Sequence, residues 1–459
     1  MNILVVFSDQ QHKYALGRVN PEFITPNLDA LADDGVLFEN GYSPNPVCGP
    51  YRGCLMTGQY TSRCRVYNNC FPLPDGVPTI ADRLKEAGFF TSYVGKWHLG
   101  GNGQGVIEKE LRGGFERFIG YQCYNGFDPR PPFNNHVLFY DENNQPHEYK
   151  KHRTDVTTDL AVERLDEAAA MDKPFLMMVS YQAPHYPEQP SDEYARLYDG
   201  KVFTKTPDYS YVDPYTPTFS PYSPRPFDGC PDFQRYGGNM DEYQRLYAGL
   251  VSQVDAGVGR IISELKRLGK YDDTLIIYTS DHGDMQGSHG LKNKCYPHEK
   301  SAGVPFIVRL PGGRCGERSA CLVNGVDIMA TALELAGLKP GPDIDGTSLL
   351  SYLKGTSSET SPYIISEYAL GKEPWRMIRT PKYKLTVHMH NYAPLSLYDM
   401  EADPWEMNDL KDEPALAGVV SSLVEILKSK TFAVNNTEPT PEQRAKWYPQ
   451  VPVGKLGNS

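Results

Sequence analysis

Three places in the chain set reactive side chains at short spacing. Pro46-Val47-Cys48-Gly49-Pro50-Tyr51-Arg52 carries a thiol four residues before a guanidinium, in turn-forming residues that lead into Gly53-Cys54-Leu55-Met56-Thr57-Gly58. Such a run puts a cysteine at a helix N-terminus, where backbone amides and the arginine make an anion site. The same field would lower the thiol pKa; the plain alternative is a packed structural cysteine. Asp9-Gln10 and Asp281-His282 are adjacent pairs that offer hard anionic oxygens, an amide oxygen and an imidazole. An oxygen-rich set suits Ca2+, Mg2+ or Mn2+, and the imidazole moves the preference toward Mn2+ or another transition metal.

These residues need a scaffold that joins distant sequence. Apolar, strand-like runs occur at Ile3–Phe7, Phe89–Val94, Phe175–Ser180, Thr274–Thr279 and Val304–Val308. Helical patterns fall at Asn27–Asp34, Thr79–Ala87, Thr158–Ala170, Asp241–Leu268 and Val326–Ala336, the last stopped by Gly337. The alternation predicts an α/β fold, a mostly parallel sheet between helices. Open sheets of this kind gather sites at the carboxyl ends of their strands. Asp9 and Asp281 each follow a strand, so the two carboxylates can converge.

From about Asp345 the texture changes. Strand-like runs at Tyr363–Ser366, Arg376–Arg379 and Tyr383–Val387, then a helix over Leu416–Lys428, predict a small antiparallel subdomain. The division expected is a catalytic domain over 1–345 and a C-terminal α+β subdomain and tail over 346–459. The segment Lys201–Gly238 is dense in Tyr, Pro and Ser and reads as a long loop, either lining a sugar pocket or covering surface.

Composition narrows the function. The chain has 459 residues, of which 40% are hydrophobic, enough for a large core. With 46 Lys+Arg against 57 Asp+Glu the formal charge is −11, which argues against a nucleic-acid partner. Met1–Asp9 reads as a buried strand, and no apolar run is long enough for a membrane span. Nine scattered cysteines point to a reducing cytoplasm.

Cys48-x-Pro50-x-Arg52 followed by Leu55-x-Thr57-Gly58 resembles the signature of the formylglycine-dependent sulfatases, in which the cysteine is oxidised to an aldehyde. Further blocks resemble that family in the same order: Gly95-Lys96-Trp97-His98-Leu99-Gly100, Ala183-Pro184-His185-x-Pro187, Ser280-Asp281-His282-Gly283-Asp284, Val326-Asp327 through Asp345-Gly346-x-Ser348, and Leu397-Tyr398-Asp399 with Asp403-Pro404. The resemblance implies the alkaline-phosphatase superfamily fold. It also implies one divalent metal, Ca2+ first and Mn2+ or Mg2+ next, held by Asp9, Gln10, Asp281, His282 and the modified Cys48. Gln10 stands where many members have Asp and His282 where many have Asn, a pair similar to that of choline sulfatases and phosphonate monoester hydrolases. Asp284 is expected to be a solvated turn carboxylate.

A sulfate ester needs fixed cations around its oxygens and an acid beside the leaving oxygen. Arg52, Lys96, His98, His185 and Lys294 are the candidates, with Asn69 as a neutral donor. Lys294 is preferred to Lys292, and Asn69 to Asn68, by their spacing in the relatives. The resemblance implies that an aldehyde hydrate at position 48 attacks sulfur, that His185 or Lys294 protonates the departing alcohol, and that His98 takes the proton that releases sulfate. His12, His289 and His298 are expected at the surface or behind the reacting groups. Lys96-x-His98 favours sulfate over phosphonate or phosphate diesters, and the Gly-Lys-Trp-His-Leu-Gly block favours a sulfated sugar over choline or aryl sulfate. A catalytically silent binder of sulfated ligands is the non-enzyme alternative. The expected partners are a small sulfated substrate and a formylglycine-generating or anaerobic sulfatase-maturing enzyme, and a homo-oligomer is compatible with the sequence.

Overall fold

A computed structural model describes residues 1–69, 71–101, 106–123, 137–210, 239–371, 373–434 and 440–442. Most of the Tyr-rich loop and of the C-terminal tail lie outside the described residues. The strands are β1 (Asn2–Asp9), β2 (Val36–Tyr42), β3 (Phe90–Lys96), β4 (Arg117–Tyr121), β5 (Val137–Asp141), β6 (Pro146–Tyr149), β7 (Phe175–Pro184), β8 (Thr274–Ser280), β9 (Phe306–Arg309) and β10 (Glu317–Asn324). They form one ten-stranded sheet in the order β10-β2-β9-β8-β1-β7-β3-β4-β5-β6. The centre is parallel: β1 pairs with both β7 and β8, and β3 with β7 and β4. β9 runs antiparallel to both β8 and β2, which leaves β2 parallel to β8.

Strict alternation along β1 explains its place at the centre. Ile3, Val5 and Phe7 enter the apolar cluster on one face, and Leu4 and Val6 enter the cluster on the other. A strand buried on both faces reads as a continuous apolar run. The helices Arg153–Ala169 and Met240–Arg267 cover one face through Leu160, Leu165, Leu250, Val254 and Ile261. On the other face lie Cys48–Thr57, Ile80–Glu86 and Asp327–Leu335, through Leu55, Met56, Leu84 and Met329.

A second, four-stranded antiparallel sheet follows in the order β11 (Ile364–Tyr368), β12 (Trp375–Arg379), β13 (Tyr383–His388) and β14 (Pro394–Asp399). Its Ile365, Ile378, Leu385 and Leu397 join the first cluster, so both sheets share one core. The helix Ala417–Lys430 closes this part. No described helix is long and apolar enough to cross a membrane.

The fold is the expected one: a mixed, mostly parallel sheet between helices with a small antiparallel sheet. Several boundaries differ; β7, for one, runs four residues past the expected Ser180, to Pro184. The helix expected over Thr158–Ala170 begins at Arg153, through a Thr-rich turn of weak helix propensity. That turn is held by His152 Nδ1, which accepts the Thr154 N–H, and by the Thr157 and Thr158 hydroxyls, which donate to the Arg153 and Thr154 carbonyls. The apolar run at Val304 enters its strand only at Phe306. Strands β2, β4, β5, β6, β10 and β14 are additions to the expected set; their apolar runs are short, such as Val36-Leu37-Phe38 in β2 and Val137-Leu138-Phe139-Tyr140 in β5, and are interrupted by polar residues.

Candidate active site

Every strand that delivers a candidate residue ends at the same edge of the sheet. β1 ends in Asp9, and Gln10 turns the chain away at φ 75°. β8 ends at Ser280, just before Asp281 and His282. β3 ends at Lys96, with His98 in a left-handed turn at φ 58°. β7 ends at Pro184, next to His185, whose backbone N–H donates to the Asp9 carbonyl at 3.0 Å. From the carboxyl end of β2 the chain enters the helix Cys48–Thr57, whose residues are all buried. No side chain of its own caps that helix; Asn69 Oδ1 accepts the Gly49 N–H at 2.8 Å instead. Asn69 thus meets the helix through its amide oxygen; the donor expected of it is the other end of the same amide, Nδ2.

Cys48 Sγ lies 3.3 Å from His282 Nε2, and 3.6 Å from both Asp9 Oδ1 and Lys294 Nζ. Lys294 also donates to Gln10 Oε1 at 2.9 Å. Lys96 Nζ donates to Asp9 Oδ2 at 2.6 Å. Arg52 spans the site from behind: Nη2 lies 3.4 Å from Asp9 Oδ2 and 3.3 Å from Asp281 Oδ2. Its Nη1 donates to the Lys96 carbonyl at 2.5 Å and to Ser180 Oγ at 2.6 Å. The structure therefore brings together Asp9, Gln10, Cys48, Arg52, Lys96, Asp281, His282 and Lys294 from five separate stretches of chain. Lys294 is the loop lysine at the thiol, as its spacing suggests.

Ligand atoms of Asp9, Cys48, Asp281 and His282 all lie within 4.8 Å of one another. Two buried carboxylates this close repel each other. Burial and the Asp9 charge push the Asp281 carboxyl up to about 7. Burial would raise Asp9 too, yet Lys96, His185, His282 and Lys294 hold it well below the ordinary carboxylate range. A set of carboxylate oxygens with one imidazole, His282 Nδ1–H being fixed by the Gly283 carbonyl at 2.9 Å, fits a hard divalent cation.

The imidazoles are kept neutral. Burial, Lys96 and Arg52 hold His98 well below its usual range, and burial and Lys294 do the same for His185. His98 Nδ1 is buried with no hydrogen-bond partner among the described residues. His185 Nδ1–H donates to the Tyr186 carbonyl at 3.0 Å, so in the neutral ring Nε2 carries the lone pair.

Two expectations are corrected here. Cys48 is not an activated thiolate: burial and the Asp9 charge push its thiol up to about 12, and these outweigh Lys294 and Lys96. Asp284 is not a solvated turn residue: it is 1% exposed and accepts four donors, from Gln10, Tyr243, Gln286 and Asn293. His12 is buried and stacked on Tyr247, while His289 and His298 lie partly buried against each other at 4.5 Å. Sequence reasoning missed Ser180 and Tyr93, whose hydroxyls meet Arg52; only the strand-end position of Ser180 hinted at its place.

The family described as Sulfatase matches residues 1–338, and that described as N-sulphoglucosamine sulphohydrolase, C-terminal, matches residues 287–432. The chain is 29% identical to an ulvan-active sulfatase of Formosa agariphila, over 100% of this chain and 88% of the relative. It is 31% identical to a choline-sulfatase of Rhizobium meliloti, over 90% of this chain and 83% of the relative. Among solved structures, a putative sulfatase from Bacteroides fragilis superposes with a TM-score of 0.80 at 23% identity, covering 94% of this chain and 96% of the other. A phosphonate monoester hydrolase from Silicibacter pomeroyi superposes with a TM-score of 0.75 at 24% identity, covering 96% and 98%.

Proposed function

The chain belongs to the sulfatase family and is a sulfuric ester hydrolase, and we propose that it cleaves the sulfate monoester of a small sugar with a formylglycine made from Cys48. The observation that carries this reading is the surround of Cys48 Sγ: Asp9, His282 and Lys294 within 3.6 Å, with Arg52 behind the carboxylates. A thiol raised to about 12 is a poor nucleophile at neutral pH, so the site suits conversion of the residue rather than use of the sulfur.

Asp9, Gln10, Asp281 and His282, with the oxygen that replaces Sγ at position 48, would hold one divalent cation, Ca2+ first and Mn2+ or Mg2+ as alternatives. When bound, that cation would draw charge from the sulfate oxygens. Arg52 bridges the two carboxylates, and Lys96 holds Asp9 ionised. Lys294 Nζ, beside position 48, is placed to donate to the ester. The departing alcohol needs a proton, which Lys294 Nζ would deliver, or His185 once the negative charge of the bound ester has drawn a second proton onto its Nε2. Neutral His98 is the base for the step that releases sulfate. Over the whole cycle water adds across the S–O bond, giving the alcohol and sulfate.

The sugar assignment draws on the ulvan-active relative, on a relative described as an N-acetylglucosamine-6-O-sulfatase at 26% identity over 95% of this chain and 87% of the relative, and on the Gly95 to Gly100 block. Choline sulfate is the second reading, favoured by the choline-sulfatase relative and the Gln10 and His282 pair.

The test is the mass of the proteolytic peptide containing Cys48, from protein produced beside a maturing enzyme, followed by sulfate release from N-acetylglucosamine-6-sulfate, choline sulfate and an aryl sulfate, with an aryl phosphonate as control. We expect an aldehyde at position 48 and the fastest release from the sugar. Full turnover by a Cys48→Ser protein shown to carry an unmodified serine would overturn the nucleophile; preference for the phosphonate would overturn the substrate class.

A further inference from the structure

Asp284 has a task that its turn position does not suggest. Its Oδ2 accepts from Gln10 Nε2 at 2.9 Å and from the Tyr243 hydroxyl of the helix Met240–Arg267. Its Oδ1 accepts the backbone N–H groups of Gln286 at 3.3 Å and Asn293 at 3.1 Å. On the opposite side of the same amide, Gln10 Oε1 accepts from Lys294 Nζ at 2.9 Å. Gln10, Tyr243, Asp284, Gln286 and Lys294 are buried, and Asn293 is partly buried.

A glutamine amide has one end that donates and one that accepts, and it turns end for end at little cost unless its neighbours choose. A carboxylate only accepts and an ammonium only donates. With Asp284 on one side and Lys294 on the other, a single orientation satisfies both. We propose that Asp284 is a positioning residue that fixes the Gln10 amide with Oε1 toward the cation site and Lys294, and that it also holds Lys294 in place through the Asn293 N–H. The proposal rests on the reading of Gln10 as a metal ligand.

The chemistry explains why an amide and a carboxylate occur in this arrangement. A carboxylate at position 10 would lie against Asp284 with no proton between them, whereas the amide N–H joins the two. Exchanging the partners should preserve the match: a carboxylate at 10 can accept from an amide at 284.

Asp284→Asn tests the proposal with little change in shape. Two backbone N–H groups point at the Oδ1 position, so the asparagine must keep its oxygen there and present its NH2 to Gln10. Gln10 then turns, and its own NH2 faces the cation site and Lys294. In the full-length chain, titration with Mn2+ alone should show affinity ~10- to 100-fold weaker than in the parent, the range seen when outer partners of metal ligands are removed. The double variant Gln10→Glu/Asp284→Asn should recover most of it. A crystal structure of Asp284→Asn should show Lys294 Nζ withdrawn from the Gln10 side chain.

Parental Mn2+ affinity in Asp284→Asn would overturn the proposal. So would a folded double variant no better than Asp284→Asn, or Lys294 still in contact with Gln10. Circular dichroism and melting temperature confirm that each variant is folded. None of these readouts involves a sulfate ester, so a failure of the substrate assignment is seen separately.

Discussion

Arg52 shows how much one side chain can carry in this site. It is fully buried, it reaches both Asp9 and Asp281, and its other nitrogen holds the Lys96 carbonyl and Ser180. The ring of Phe7 lies 5.0 Å from the guanidinium and closes it off from water. A lysine has one point charge and no fork. Arg52→Lys would therefore reach one carboxylate and leave the other buried beside it without a partner, a loss of about 3 kcal/mol. Urea unfolding of the chelator-treated protein should show that loss, and sulfate release should fall to background. A variant within about 1 kcal/mol of the parent would mean that the fork is dispensable. At this scale the sequence was informative about which residues meet and poor about their environment. Cys48, Arg52, Lys96 and Lys294 are legible because motif spacing survives in the chain. The raised Cys48 thiol and the buried Asp284 are not, because both depend on water being excluded by elements far away in sequence.

The elements set the site through register. Gly95 pairs with Ser180 across β3 and β7, with φ 110°, and a Cβ there would come 2.0 Å from the Ser180 carbonyl oxygen. That close approach places Lys96 and Ser180 on either side of Arg52. Gly95→Ala cannot be accommodated without moving β3 away from β7, and the positive φ adds strain of its own. The expected cost is roughly 3 kcal/mol, at the high end for one substitution. The measurement is thermal unfolding, with Lys96→Met as a comparison that removes the side chain but leaves the strand pair intact. If Gly95→Ala melts with the parent, the strands are not locked at this point. The central strands were legible because each is apolar on both faces. β2, with its Glu39-Asn40-Gly41 stretch, and β10, with exposed Arg318 and Ala320, were not: their hydrophobic signal is diluted by position at the side of the sheet. The convergence of Asp9 and Asp281 followed from strand direction alone, which is why the site was readable before the outer strands were.

Across the whole molecule, buried titratable groups work against one another. Burial and Lys300 push His12 down to about 3, and burial also lowers His152 and His298. These imidazoles are neutral in the folded chain and take up protons when it unfolds below about pH 6.5. Their contribution is present above that pH and is lost on acidification. Burial raises Asp255 to about 6, Asp327 to about 7 and Asp345 to about 6. Those carboxyls keep protons that the unfolded chain gives up above about pH 4, so their contribution is present in acid and is lost as pH rises toward 7. Between pH 5 and 6.5 the two sets oppose each other, and the stability of the parent changes less than any one group would dictate. Removing a single imidazole should expose the imbalance. His12 stacks on Tyr247 with its Nδ1 buried, so His12→Phe keeps the ring contact and removes the titration. Relative to the parent, the variant should gain stability as pH falls from 6.5 to 5, with a slope that rises toward the one-proton limit of about 1.4 kcal/mol per pH unit. Urea unfolding of both chelator-treated proteins at pH 5, 6 and 7.5 measures this difference directly. Parallel profiles would mean that His12 titrates alike in the folded and unfolded chains, and that the burial of its ring against Tyr247 does not exclude its charge.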